Sequence, residues 1–390
     1  METFFNKREG KPKPSLPPTL KMAAPPEPRV IVVDDGSAEP LRDGDFADAP
    51  GEVAVIRHPV SRGPAAARNT GLTAAGTDFV AFLDSDVVPR RGWLEALLGH
   101  FSDPAVALVA PRIVGLDPQD NPVARYEMIR SSLDLGHREA PVLPYSTVSY
   151  VPSAAIICRR AVISDIGGFD EAMTCGEDVD LCWRMAADGW RLRYDPVARV
   201  AHEHRVSLST MLDRRRFYGT GAALLADRHD RKAAPLVMKI PTAVALIALL
   251  TRTRLGLLIA LLCAGYSARG VYERLDPLPR RECVSASLTT AGLGNGLVQV
   301  GSVVCRHYWP LALLAALVSQ RLRRLFLQIA IVDALIVWVR FAAANRRRPA
   351  VDPVSFFVLR RLDDLAYGAG LWQGALREHD PTALLPVLVR

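Results

Sequence analysis

Two aspartates one residue apart, Asp84 and Asp86, follow directly on the apolar run Phe79-Val80-Ala81-Phe82-Leu83. Carboxylates crowded in this way repel one another unless a cation lies between them. Hard oxygen ligands favour Mg2+ or Mn2+, ions that bridge phosphates. A solvated turn is the plain alternative, but the end of a buried strand concentrates charge where a surface turn would scatter it. Asp34-Asp35-Gly36-Ser37 closes another apolar run. Alone it is an ordinary polar turn, although a carboxylate there can accept a hydrogen bond from a base N–H. Arg62 and Arg68-Asn69 offer either a solvated helix face or charge-assisted contacts to a base or diphosphate. Glu177 and Asp178 precede a helix-like stretch, Leu181 to Ala187. The helix dipole by itself favours acids at such a start, and a carboxylate held there can also serve as general base toward an incoming hydroxyl. His202, in His202-Glu203-His204, follows Arg199-Val200-Ala201. A lone histidine is most simply structural, whereas one placed after a strand beside acidic turns completes a metal site.

These residues need rigid elements to hold them. Val30–Val33, Val53–Ile56, Phe79–Leu83 and Val106–Val109 read as short buried strands. The alanine-rich segment from Gly63 to Gly76 and the stretch Trp93 to Phe101 read as helices between them. Strands alternating with helices imply a parallel α/β sheet. In such sheets ligands bind beyond the carboxyl ends of the strands, where the acidic turns fall.

The flanks differ in composition. Residues 1–28 carry seven prolines from Pro12 to Pro28 among lysines, without apolar periodicity, and read as a linker without a fold of its own. The same stretch has no apolar h-region, so no secretory leader is expected. Domain limits are expected at 29–230 for the α/β unit and 231–390 for a helical tail. In the tail, Leu236–Leu250, Leu255–Tyr266, Trp309–Val318 and Leu325–Ala344 are apolar and flanked by arginines. Most are shorter than the roughly 20 residues needed to span hydrocarbon. A buried helical subdomain is one reading. The reading preferred is helices lying in, or dipping into, a membrane interface with their basic flanks on acidic headgroups.

Of 390 residues, 49% are hydrophobic, and the formal net charge of +7 suits an anionic partner such as a sugar-nucleotide diphosphate or a membrane face. Charge alone would also admit nucleic acid, but no helix-turn-helix, zinc-finger or RNA-binding aromatic motif is visible, and nucleic acid is not expected as a partner. Six cysteines without CxxC spacing read as reduced, mostly buried thiols in a cytosol.

Taken in order, Val-Ile-Val-Val-Asp-Asp-Gly-Ser at 30–37, Ala-Arg-Asn-Thr-Gly at 67–71, Phe-Leu-Asp-Ser-Asp at 82–86, Gly-Gly-Phe-Asp-Glu at 167–171 and Gly-Glu-Asp-Val-Asp-Leu at 176–181 resemble the family 2 glycosyltransferases over about residues 29–220. Arg361-Leu362-Asp363-Asp364-Leu365-Ala366-Tyr367-Gly368-Ala369-Gly370 and the helical stretch before it resemble a narrower group, the glycosyltransferases of mycofactocin biosynthesis. The resemblance implies a GT-A (Rossmann-like) nucleotide-sugar-binding domain, followed by an α-helical membrane-associated region at the cytoplasmic face of the membrane. It implies Asp34 or Asp35 on uracil, Asp84 on the ribose or the metal, Asp86 and His202 on Mn2+ or Mg2+, and Asp178 as base, while Arg68 is expected on the nucleotide-sugar. Glu177 and Arg216 are expected beside the acceptor. The reaction would invert the anomeric carbon, moving glucose from UDP-glucose onto a small peptide-derived acceptor. A cell-envelope lipid or polysaccharide acceptor is the alternative.

Family members begin with a strand, a turn and a helix that the proline-rich segment replaces here. The GT-A sheet is therefore expected to lack its first strand, leaving two strand edges open and the chain poorly folded or inactive as it stands. A nucleotidyltransferase would carry a Gly-rich basic loop near its first strand, which is not seen. A non-catalytic scaffold would bind no UDP-sugar.

Overall fold

The computed structural model describes the chain apart from residues 1–28, 48–50, 117–120, 204–206, 231, 277, 345–350 and 390. The proline-rich segment, His204 and Arg346–Arg348 thus lie outside the described residues. Two compact units meet in sequence between Lys232 and Ala233.

In the first unit the elements run β1 (Val30–Asp35), β2 (Val53–His58), α1 (Pro64–Ala74), β3 (Phe79–Leu83), β4 (Val87–Pro89), α2 (Trp93–Leu98), β5 (Val106–Gly115), α3 (Pro122–Arg130), β6 (Ala140–Pro141), β7 (Ala155–Arg159), α4 (Arg160–Asp165), α5 (Glu177–Ala187), β8 (Arg191–His202) and α6 (Leu208–Arg228). The sheet is mixed, not wholly parallel. Its order is β3-β7-β5-β8-β4, with β6 on β8. β7 lies antiparallel to both β3 and β5, while β5 and β8 run parallel. Strand direction has no signature in the apolar run Ala155-Ile156-Ile157-Cys158, which is buried on both faces and reads alike either way. β1 pairs in parallel with β2 and forms a separate two-stranded sheet. Among the described residues, β1 has β2 as its one strand partner and β3 has β7.

A core cluster of Val87, Ile113, Ala154, Ala155 and Val200, joined by Trp93 and Leu133, lies under the acidic turn between β3 and β4. Burying an aliphatic side chain of this kind is worth about 1.5–3 kcal/mol, so the turn rests on a firm base. Its backbone is pinned as well. Asp84 N donates to Ala154 O at 3.0 Å, and Glu203 N donates to Asp86 O at 3.2 Å.

The second unit holds β9 (Val237–Lys239), α7 (Ile240–Leu250), α8 (Arg254–Arg274), α9 (Arg281–Arg306), α10 (Trp309–Val318), α11 (Gln320–Ala344), α12 (Pro353–Arg377) and β10 (Val387–Val389), with β9 and β10 parallel. α8, α9 and α11 are long and apolar enough to cross a membrane by length and composition. α9 was not among the apolar stretches read from sequence, because Ser, Thr and Gly dilute its hydropathy. α11 is inverted relative to a helix of a water-soluble protein. Leu325, Leu327, Ile331, Val332, Leu335 and Val339 are exposed, while its acid, Asp333, is buried. Asp333 accepts a two-pronged pair of bonds from Arg360 at 2.8 and 2.9 Å, plus one from Arg361 at 2.5 Å. Arg306 donates to Asp363 and Asp364 at 3.2 Å each. The Arg-Leu-Asp-Asp motif is therefore the ionic centre of the helical unit.

Candidate active site

β4 and β8 are antiparallel with Val87 opposite His202, so the turn before β4 meets the end of β8. This brings Asp86 Oδ2 to 3.1 Å from His202 Nε2. Asp84, Asp86 and His202 line one cleft together with Glu127, Arg214, Arg215 and Tyr218. Arg215 is buried and donates to Glu127 at 2.5 Å, to Ser132 Oγ at 3.0 Å and to Arg130 O at 3.1 Å, fastening α6 to α3. Arg216 is exposed and not among the lining residues. Successive helical residues are rotated by about 100°, which gives the cleft to Arg214 and Arg215 instead.

Arg68 is the electrostatic hub beside the cleft. From α1 it donates to Asp84 at 2.7 Å and to Glu177 at 2.9 Å, and it stacks over the Phe169 ring at 5.4 Å. It thereby ties the end of β3 to the start of α5, and it meets neither Asp34 nor Asp35 in any described bond. Asn69, its neighbour, accepts from Phe169 N at 2.9 Å and donates to Phe169 O at 2.8 Å. This clamps the Gly168-Phe169-Asp170 loop. Burial disfavours the Arg68 cation, but Asp84 and Glu177 outweigh that and raise its pKa. Removing one partner of a buried ion pair costs about 3–5 kcal/mol. Because the Asp84 side chain is 39% exposed, Arg68→Ala is expected at the lower end, about 3 kcal/mol in urea unfolding. A loss below about 0.5 kcal/mol would show that the hub does not hold these elements together.

Asp178 sits in the first turn of α5, where its Oδ1 accepts from Val179 N at 2.8 Å. Burial pushes its carboxyl up to about 7, and the adjacent Glu177 charge adds to this, against the Val179 amide and Arg68. A carboxyl titrating there is suited to general-base work near neutrality. Asp178 does not itself line the cleft but is linked to it through Glu177, Arg68 and Asp84. Gly176, at φ 85°, caps α5, and a Cβ there would meet Leu225 Cδ1 at 2.9 Å. Asp180, buried one turn on, accepts from Arg184 at 2.7 Å and faces His229 Nε2 at 2.8 Å, locking α5 to the end of α6. The sequence reading missed this anchor, and also Glu127 and Arg215. Acids two and three residues apart at a helix start were the visible signal for Asp180.

Asp34 and Asp35 are engaged within the first unit and do not line the cleft. Asp34 accepts from Ser37 N at 2.9 Å, from Leu41 N at 3.1 Å and from Arg57. The Ser37 bonds foremost hold its carboxyl well below the usual range. Asp35 accepts from Ser61 Oγ, Arg62 N and Gly63 N at 2.8–2.9 Å and pairs with His58 at 2.7 Å. Burial works against its ionisation, but these bonds prevail and lower its pKa. The two aspartates brace the loops after β1 and β2.

Among the described residues, no three His, Cys, Asp or Glu side chains form a metal cluster. A cation that takes one or two protein ligands and completes its shell with phosphate oxygens needs no such cluster. The Asp86–His202 pair, opening on a cleft, has the donor chemistry for one.

The family model for Glycosyl transferase family 2 matches residues 5–166. A pre-mycofactocin glycosyltransferase from Mycobacterium tuberculosis (strain H37Rv) is 55% identical over 359 residues, covering 92% of this chain and 76% of the relative. The validoxylamine A glucosyltransferase of Streptomyces hygroscopicus subsp. limoneus is 28% identical over 198 residues, covering 43% and 42% of the two chains. A mannosyltransferase from Pyrobaculum calidifontis, solved with GDP-Man and Mn2+, is 17% identical with a TM-score of 0.38, covering 86% of this chain and 77% of that one. The chain is a glycosyltransferase of family 2 and belongs with the pre-mycofactocin glycosyltransferases.

Proposed function

We propose that the chain transfers glucose from UDP-glucose onto a hydroxyl of the mycofactocin precursor, inverting the anomeric carbon. The observation that supports this best is the joining of two carboxylate functions by Arg68. On one side lies the Asp84/Asp86/His202 cleft, and on the other is Asp178, whose pKa near 7 equips it to take a proton. Asp178 accepts the acceptor's hydroxyl proton as that oxygen bonds to C1 and the C1–O bond to the diphosphate breaks. UDP leaves. Asp86 and His202 would hold Mn2+ or Mg2+, which when bound offsets charge developing on the leaving diphosphate. Asp84, fixed by Arg68, orients the donor, and Glu177 shapes the acceptor side. Asp34 and Asp35 act on the uracil site through the loops they brace. Incubating the purified chain with UDP-glucose and the mycofactocin precursor should add hexose mass to the precursor. Transfer to a lipid or polysaccharide acceptor alone would overturn the acceptor assignment.

The helical unit is proposed to seat the enzyme on the cytoplasmic face of the membrane. Its support is the inverted α11, with hydrocarbon outside and a neutralised charge inside, a pattern stable where the surroundings are lipid. The full-length chain should sediment with membranes at both low and high salt. Recovery in the high-speed supernatant would refute the placement.

A further inference from the structure

Every acidic side chain lining the cleft has a basic partner. Asp84 is met by Arg68, Asp86 by His202 and Glu127 by Arg215. The lining contains one further cation, Arg214 on α6. Among the described residues Arg214 forms no ion pair. Its guanidinium lies over the rings of Phe217 and Tyr218 at 5.7 and 5.5 Å, one turn along the same helix. Its charge is also felt at Cys175, next to the start of α5. Arg214 therefore shares the cleft with the Asp86–His202 pair. α6 cannot easily turn away, because the buried Arg215–Glu127 pair fixes its rotation at the adjacent residue.

An arginine held by ring stacking keeps its planar edge free for acceptor oxygens, and a guanidinium edge matches phosphate geometry in a two-pronged manner. Resting on the proposed reaction, we infer that Arg214 binds the diphosphate of the nucleotide-sugar donor and holds it as it leaves. The bond that breaks is C1–O to the β-phosphate, the electron pair stays on that oxygen, and the new negative charge forms in a cleft already lined by carboxylates. A cation supplied by α6 at that place assists both binding and departure. Its contribution depends on phosphate and not on the nucleoside.

The test is binding of UDP and of uridine, each with Mg2+, to the full-length protein and to Arg214→Ala and Arg214→Lys. Arg214 is exposed, so thermal melts should show both variants folded. Arg214→Ala should weaken UDP roughly tenfold or more, on the scale of one charge-assisted contact, and leave uridine unchanged. Arg214→Lys should recover part of the loss. UDP affinity within twofold of the parent in Arg214→Ala would overturn the proposal and leave the reaction intact. Equal weakening of uridine and UDP would overturn it too, by showing a general disturbance of the site. Failure of the unmodified protein to bind UDP at all would overturn the proposed reaction, and this inference with it.

Discussion

Asp178→Asn should lower turnover roughly a thousandfold, the scale expected for removal of a general base, while UDP-glucose affinity stays within a few-fold. The variant keeps side-chain volume and the first turn of α5, and loses the one property the mechanism needs. A second effect separates this from simple damage. The folded-state pKa of Asp178 is raised from 3.8 to about 7, so the folded protein binds that proton more tightly than the unfolded chain does. Its protonated form supports stability fully below the unfolded value, and that support is lost as pH rises through about 7. The asparagine variant should therefore melt higher than the parent at pH 8 and close to it at pH 4. In the parent, kcat/KM should fall as pH drops through about 7, since the base is then protonated. Glu177→Gln, which removes a charge that helps raise Asp178, should move that limb to lower pH. Unchanged turnover in Asp178→Asn would remove the carboxylate from the mechanism.

Chelation should produce the other large effect. With EDTA, transfer should fall by three orders of magnitude or more, because the diphosphate would depart without the ion that offsets its charge. Asp86→Ala and His202→Ala should each weaken Mn2+-dependent UDP binding at least tenfold, as expected for loss of a charge-assisted partner. Neither change should affect uridine binding without metal. The two side chains lie 3.1 Å apart on adjoining strand ends, so the double variant should be little worse than either single one. Equal activity with EDTA and with metal would exclude this role for the pair.

The elements that carry the acidic turns are legible in the sequence because each is an apolar run cut off by Asp or Gly. β1, β3 and α1 arise at those places. Asp84, Asp86 and His202 are likewise legible as strand-end residues, and the structure lines one cleft with them. Other features depend on chain segments distant in sequence. The engagement of Asp34 by Arg57, and of Asp35 by His58, Ser61 and two backbone amides, requires β2 and the start of α1 to fold back beside β1. The choice of Arg214 and Arg215 over Arg216 depends on the phase of α6, set by the Arg215–Glu127 pair, and three consecutive arginines give no hint of it. Direction within the sheet is hidden for a related reason. Periodicity reports which faces are buried but not which way β7 runs.

The central claim, transfer with inversion by an Asp178 base, is tested most directly by the anomeric configuration of the sugar in the product. UDP-α-glucose and the mycofactocin precursor should be incubated with the full-length protein, and the anomeric proton of the new glycoside followed by NMR from the earliest turnovers. The account predicts a β-glucoside, with the large coupling of two axial protons. An α-glucoside would contradict it, because a single displacement by a base-activated hydroxyl cannot retain the donor's configuration.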